Sequence, residues 1–565
     1  MRTTTLTTLA ITAALILGAC SAASDATVTE TYDEQVTDVV AVDNAFPETT
    51  FSDLEIPDAD LDVDFSDATH IDLSSSDSVT ITNAGTYVLS GTLDSGEIIV
   101  DADDAVVTLV LDGASITAAD VVAINIQDAE QVVLWLAEGS TNTIADAPSA
   151  ALDETVEDAP NATIFSTEDL WIAGSGELTV TAHAADSVTS KDSLVIAGGT
   201  ITVHANDDGI RGKDHLVILD GDITVNSGDD ALRSDNESVS DDLDAKVGVV
   251  RINGGTLDLE AGGDAIDAAN EITVAAGDIA IAADDDGMHT EGTLTINGGT
   301  IDITRSYEGI EGAFMYLNGG YVTIVATDDG INVAGGTGEE TTTEQVRLEP
   351  GMNDRPAGGP AGRGGPGDDQ FATVPVATNL ADVTVTAMVG GGFGGPAEGA
   401  SNGRFLEITG GTYIIDTNSD GVDVNGEMTM SGGLLIVSGT DDVRNGALDV
   451  DNDLIVTGGT IVANGTSNMA VAPDVGSAQA SLAITFSHSL PAGTTITITD
   501  ADGEFIMAAT TLKVSQSLVF TSDALVAGES YTVTLGGNVS GDGTAWYIEE
   551  GTSTGGAQAG AIVAA

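Results

Sequence analysis

The chain has 565 residues, with 91 acidic side chains against 14 basic ones and a formal net charge of -77, and a surface this negative repels nucleic-acid phosphates and anionic headgroups. Nucleic acid is thereby excluded as a partner. Hydrophobic residues at 42%, 69 glycines and aromatics at only 4% describe a folded chain of small and β-branched side chains with many turns, which sets aside both disorder and a helical bundle.

Residues 1–19 read as a secretory signal peptide: Arg2 precedes the apolar run 9–17, which is too short to span a bilayer as a mature helix. The run ends in Leu17-Gly18-Ala19-Cys20, which resembles a bacterial lipobox and implies acylation of Cys20. That residue is the single cysteine, so no disulfide staples the fold, and the membrane is expected to be reached through the lipid anchor alone. Residues 20–64, rich in Asp, Glu, Thr and Ser, are expected to form an acidic tether.

From 65 to 475 the sequence repeats. Asn206-Asp207-Asp208-Gly209-Ile210-Arg211 returns as Gly228-Asp229-Asp230-Ala231-Leu232-Arg233, Gly262-Gly263-Asp264-Ala265-Ile266-Asp267, Asp284-Asp285-Asp286-Gly287-Met288-His289, Ser306-Tyr307-Glu308-Gly309-Ile310-Glu311 and Thr327-Asp328-Asp329-Gly330-Ile331-Asn332. The steps 208 to 230, 264 to 286 and 286 to 308 are each 22 residues and 308 to 329 is 21; a polar loop at 235–246 lengthens the step from 230 to 264. Short alternating strands and Gly-Gly turns inside such a period predict an all-β fold, one coil of a parallel β-helix per repeat. A Gly/Pro-rich insertion at 337–403 interrupts the phase, which resumes at Asn418-Ser419-Asp420-Gly421-Val422-Asp423. Longer alternating strands then predict a small antiparallel β module at 476–540 that caps the open end, followed by a tail at 541–565.

In such a stack, residues one period apart lie above one another. One column reads Asp186, Asp208, Asp230, Asp264, Asp286, Glu308, Asp329 and Asp420; a second reads Arg211, Arg233, Asp267, His289, Glu311, Asn332, Asp423 and Asp449. Asp and Gly also favour turns, but Asn or Ser would serve a turn without charge. Calcium takes oxygen ligands at about 2.4 Å and so bridges carboxylates on coils about 4.8 Å apart. Ca2+ is therefore the expected cofactor, with Asp208, Asp230, Asp264, Asp267, Asp286, Glu308, Glu311, Asp329, Asp420 and Asp423 as ligands.

Gly85-Thr86-Tyr87-Val88-Leu89-Ser90-Gly91, Val110-Leu111-Asp112-Gly113, Asp207-Asp208-Gly209-Ile210-Arg211-Gly212-Lys213-Asp214, Ser306-Tyr307-Glu308-Gly309-Ile310-Glu311-Gly312 and Asn468-Met469-Ala470-Val471-Ala472-Pro473 resemble a bacterial family of secreted carbohydrate-binding proteins. That family consists of calcium-containing right-handed parallel β-helices similar in fold to pectate lyases. The resemblance implies a right-handed helix, calcium, and affinity for cellulose- or pectin-like polysaccharide. Ala231, Ala265 and Ala447 replace the motif's Gly, and Ser187 departs in the earliest coil, which puts ligation there in doubt.

The reading is a non-catalytic, lipid-anchored protein of the cell envelope or surface that binds polysaccharide, with Arg211, Lys213 and Arg233 as sugar contacts. Two alternatives are a calcium-dependent polysaccharide lyase and a structural surface adhesin. A lyase needs a base for the proton α to a uronate carboxylate, and Lys213, beside Arg211 and Asp208, is the one cluster with that chemistry.

Overall fold

A computed structural model describes residues 65–151, 159–237, 246–334, 374–388 and 403–565, together with Leu54, Ala59, Leu61 and Val63. The expected signal peptide, Cys20, most of the tether and the bulk of the 337–403 insertion lie outside the described residues. The described chain is all-β apart from two three-residue 3-10 turns, Leu73–Ser75 and Leu380–Asp382.

Each repeat forms short strands that pair in parallel with their equivalents in the next repeat, building three ladders. The first passes through Asp186–Ser190, Ile210–Gly212, Leu232–Ser234 and Ile266–Ala268 into the beginnings of Met288–Ile296 and Ile310–Leu317. The second runs through the front halves of Ser193–His204 and His215–Asn226, then Val249–Ile252 and Glu271–Val274. The third follows the back halves of the same long strands into Thr256–Ala261, Asp278–Ala283, Thr300–Ser306 and Tyr321–Ala326. Side chains alternate across each strand, so Leu216, Ile218, Ile223, Val225 and Leu232 all turn into one continuous buried core.

The Gly-Gly corners have two separate causes. Gly299 adopts a left-handed φ of +89°, which side chains other than glycine resist. A Cβ on Gly298 would lie 2.6 Å from the Ala275 carbonyl oxygen of the coil below. Stacking at strand spacing leaves no room there.

Register survives the insertion. Ile331 pairs with Val422, and Leu317 with Ile408, so the excursion leaves and rejoins the stack at one coil boundary. Part of it is built into the fold: Val385–Ala387 pairs antiparallel with Ser481–Leu490.

At the C-terminal end Ser515–Thr521 pairs antiparallel with both Thr460–Gly465 and Ser481–Leu490, covering the edge that a parallel ladder leaves unpaired. A six-stranded antiparallel sheet follows, and its strands Asn538–Thr544, Tyr547–Thr554 and Ala557–Val563 occupy the stretch expected to be a tail. Residues 541–565 therefore belong to the C-terminal module. Its core includes Ile414, Ile436 and Val462 from the outer side of the third ladder, so the module packs against a flank of the stack as well as its end. The tether is likewise corrected at one point: Leu54 is 3% exposed and packs with Val133, Trp171, Val195, Val217 and Val249 on the outer side of the second ladder.

Asn142 occupies an inward position, in register with Leu178, and is fully buried. Its Oδ1 accepts from the N–H groups of Gly113 and Ala114 at 3.0 and 2.9 Å, while Nδ2 donates to Ser140 Oγ at 2.8 Å and Glu177 O at 3.0 Å. Asn142→Ala strands two buried N–H groups and is predicted to cost roughly 2–4 kcal/mol, read as a lower urea midpoint. An unchanged midpoint would show that this network does not hold the early coils.

Candidate functional site: the carboxylate columns

The first-ladder strands are short because each is bounded by an Asp-containing corner. Those corners stack. Asp208 Oδ1 accepts from the N–H of Asp230 at 3.3 Å, Asp230 Oδ1 from Asp264 at 2.8 Å, Asp264 Oδ1 from Asp286 at 2.8 Å, and Asp286 Oδ1 from Glu308 at 3.0 Å. Beyond the insertion Asp329 Oδ1 accepts from Asp420 at 2.9 Å, and Asp420 Oδ1 from the N–H of Gly446. Each carboxylate thus commits one oxygen to the backbone of the next coil. Orientation of the side chain follows from that bond.

The second column lies in strand register from Arg211 to Arg233, Asp267, His289, Glu311, Asn332, Asp423 and Asp449. Its character changes along the stack. Arg211 is paired with Asp235, Nε to Oδ1 at 3.1 Å and Nη2 to Oδ2 at 2.5 Å, and lies 3.7 Å from Asp186. Arg233 Nη1 lies 3.1 Å from Asp230, 3.3 Å from Asp208 and 4.0 Å from Asp229, and its Nε lies 3.7 Å from Asp267. One guanidinium is shared among four carboxylates. His289 Nδ1 lies 3.1 Å from Asp267 and 3.7 Å from Asp264, with Nε2 3.9 Å from Glu311.

Further up, this position holds Glu311, Asn332, Asp423 and Asp449, and the basic residues are gone. Carboxylate oxygens of Asp286, Glu308 and Glu311 lie within 4.8 Å of one another, as do those of Asp264, Asp285 and Asp286. Asn332 is 8% exposed; its Nδ2 donates to Glu308 Oε2 at 2.8 Å, while its buried Oδ1 meets no donor. A buried oxygen without a protein donor can be satisfied by a water or by a cation.

Burial sets the protonation of these groups. It lifts Asp230 up to about 8, with Asp264, Asp267 and Asp208 adding and Arg233 opposing. Asp264 is raised to about 7 by burial against the opposing Asp286 N–H and His289. Asp423 reaches about 7 through burial and then the charges of Asp329, Asp449, Asp420 and Asp451, all acting in the same direction. Asp286 and Glu308 are also pushed well above the carboxylate range by burial and then by like-charged neighbours. For His289 burial opposes the charge, but the bond to Asp267 and the carboxylates of Asp264, Asp267 and Glu311 outweigh it and hold the ring protonated at neutral pH.

A cleft of about 600 Å³ opens beside this ridge, lined by Arg233, Asp264, Asp267, Asp286, His289 and Glu291 among others. The expected sugar contacts divide: Arg211 and Arg233 are engaged by carboxylates, and Lys213 is half-buried, with its backbone N–H donating to Ser190 O at 2.9 Å. Sequence reasoning missed Asp207, Asp229 and Asp285, which join the oxygen clusters, and Asp235, the partner of Arg211. The doubled acids Asp207-Asp208, Asp229-Asp230 and Asp285-Asp286 were the available signal for the first three.

A family model described as carbohydrate-binding domain-containing protein matches residues 75–336. A protein of the same description from Acetivibrio thermocellus is 41% identical over 219 residues, which is 39% of this chain and 75% of the relative. The chain belongs to this family of carbohydrate-binding domain-containing proteins. It is also similar to a solved structure described as the polysaccharide lyase-like protein from C. thermocellum, gadolinium derivative, at 31% identity, covering 40% of this chain and 96% of that one with a TM-score of 0.38.

The raised carboxyls fix the sign of a pH effect. In the unfolded chain they release their protons near about pH 4, whereas Asp264, Asp420 and Asp423 at about 7 and Asp230 at about 8 keep theirs when folded. Between those limits the folded state binds more protons, so stability present at low pH is lost as pH rises. Chelator-treated protein is predicted to melt lower at pH 8 than at pH 5.5. An equal or higher melting temperature at pH 8 would contradict the burial of the columns.

Proposed function

We propose that this member of the carbohydrate-binding domain family is a non-catalytic polysaccharide-binding protein whose carboxylate columns are closed by calcium in the coils beyond His289. The observation that carries the proposal is that the second column, which runs Arg211, Arg233, Asp267 and His289, holds no further base at Glu311, Asn332, Asp423 and Asp449. Asp286, Glu308 and Glu311 would hold one ion; Asp329, Asn332, Asp420 and Asp423 supply the oxygens for another. Bound calcium would neutralise the ridge and accept a carboxylate from an acidic sugar. Asp208, Asp230, Asp264 and Asp267 are instead served by Arg233 and His289, so the ions belong to the later coils.

The same proposal includes a right-handed sense for the stack, since parallel strands joined by crossovers take that hand in nearly all sheets. It also includes export by residues 1–19 and lipid attachment at Cys20. A non-catalytic role is supported by the engagement of Arg211 with Asp235 and of Arg233 with its carboxylates, which withholds the cations an eliminating enzyme would turn toward substrate.

The test uses Glu308→Gln/Asp423→Asn, which keeps shape while removing two charges. Calcium at a hundredfold excess over its dissociation constant stabilises the parent by about 2.7 kcal/mol per site, so chelation is expected to lower the parent's melting temperature by several degrees and abolish retention by polygalacturonate. The double variant is expected to lose both responses. Identical melting and retention of the parent in calcium and in chelator would refute the proposal. A rise in unsaturated-product absorbance on polygalacturonate would replace it with the lyase. For the anchor, Cys20→Ala is predicted to leave the membrane fraction; retention there would remove lipidation from the proposal.

A further inference from the structure

The outer side of the second ladder changes character along the stack. Near its start it carries Val133, Trp171, Val195 and Val217, packed beneath Leu54, Ala59 and Leu61. Later coils place Thr293, Phe314, Phe405 and Glu427 in one outward column and Thr295, Tyr316, Glu407 and Thr429 in the adjacent one. The intervening residues Leu294, Met315, Leu317 and Leu406 are fully buried, so the pleat turns the aromatic residues away from the core.

Phe405 is held between the other two rings, its centroid 5.6 Å from Phe314 at 49° and 5.1 Å from Tyr316 at 76°. Tilted and edge-to-face packing of this kind fixes ring orientation before any ligand arrives. All three rings keep part of their surface in solvent. In a chain with only 4% aromatic residues, these three lie together on the outside of one face, each partly buried. A cleft of about 240 Å³ adjoins them, lined by Arg404, Phe405, Glu407, Glu427 and Thr429 with Gly403.

We infer that Phe314, Tyr316 and Phe405 form a second, metal-independent glycan subsite that takes the C–H face of a neutral pyranose chain, with Arg404, Glu407 and Glu427 addressing its hydroxyls. This rests on the polysaccharide-binding reading above but names a different face and a different sugar chemistry. A pyranose with equatorial hydroxyls presents weakly positive C–H bonds to the negative face of an aromatic ring. Its rim of hydroxyls needs acceptors and donors together; a carboxylate supplies only the former and a guanidinium only the latter. The two glutamates select against a uronate, whose charge they would oppose. Ile310–Leu317 carries Glu311 to the carboxylate column and Phe314 and Tyr316 to the aromatic face, so the two subsites adjoin around one corner of the stack.

Affinity electrophoresis of the full chain separates the two sites, with hydroxyethyl cellulose as the neutral probe and polygalacturonate plus calcium as the acidic one. The parent is expected to be retarded by hydroxyethyl cellulose equally in calcium and in chelator. Phe314→Ala/Phe405→Ala should weaken that retention about tenfold while leaving polygalacturonate retention and melting temperature unchanged, and Phe405→Tyr in the parent should keep neutral binding. If the double variant melts low, Glu407→Gln, with both rings intact, replaces it and should also weaken neutral retention. A parent not retarded by the neutral polymer, retardation that needs calcium, or retention unmoved by the variants would overturn this subsite. Loss of polygalacturonate retention by the parent would overturn only the calcium reading.

Discussion

Everything in this protein follows from stacking identical corners at strand spacing. A parallel ladder sets each residue directly over its equivalent about 4.8 Å away, so any side chain that suits a corner is multiplied into a column. Apolar residues multiplied this way produce the core, and glycines produce the corners. Aspartate at the corner produces a problem. Each carboxylate gains the N–H of the next coil, as Asp264 does from Asp286 at 2.8 Å, and simultaneously gains a like-charged neighbour above and below.

The hydrogen bond and the repulsion act in opposite senses on the same carboxyl group. An acceptor bond to backbone N–H favours the ionised form, yet Asp264 and Asp420 are still raised to about 7 despite such bonds. Burial outweighs the bond. Early in the stack the chain answers with cations of its own, and Arg233 reaches four carboxylates. Around Asp423 every charge acting on the carboxyl pushes in one direction. A protein with 14 basic residues cannot serve every coil, and clustered carboxylate oxygens occur both beside its bases, as at Asp207, Asp208 and Asp229, and beyond them, as at Asp286, Glu308 and Glu311.

The period made both columns readable before any coordinates: strand register joins Asp267 to His289 and Glu311 to Asn332, steps of 22 and 21 residues. What eluded sequence reasoning was contact between distant parts of the chain. Leu54 sits in an acidic, unpatterned stretch, and nothing local indicates that Trp171 will bury it. The strands at 541–565 are rich in Gly, Ala and Thr and lack the apolar alternation that betrays a half-buried strand. Two signals were present but unread. Tyr413-Ile414-Ile415 and Leu434-Leu435-Ile436-Val437 are unbroken apolar runs, the mark of a strand covered on both faces, and the C-terminal module is the cover.

The outer surfaces of the ladders therefore divide by what lies over them. Where the chain covers itself, the outward residues are apolar: Trp171, Val195 and Val217 beneath Leu54, Ile414 and Ile436 beneath the C-terminal module. Where solvent covers the stack, outward residues are mostly polar, as at Asp278, Thr300 and Thr323, with Tyr321 and Val325 exposed among them. Phe314, Tyr316 and Phe405 are also apolar on a face that water reaches, and they pack on one another. Their partial exposure, beside Arg404 and Glu407, is what a surface shared with an amphipathic ligand requires, and a sugar ring is amphipathic in that sense, apolar on its face and polar around its edge.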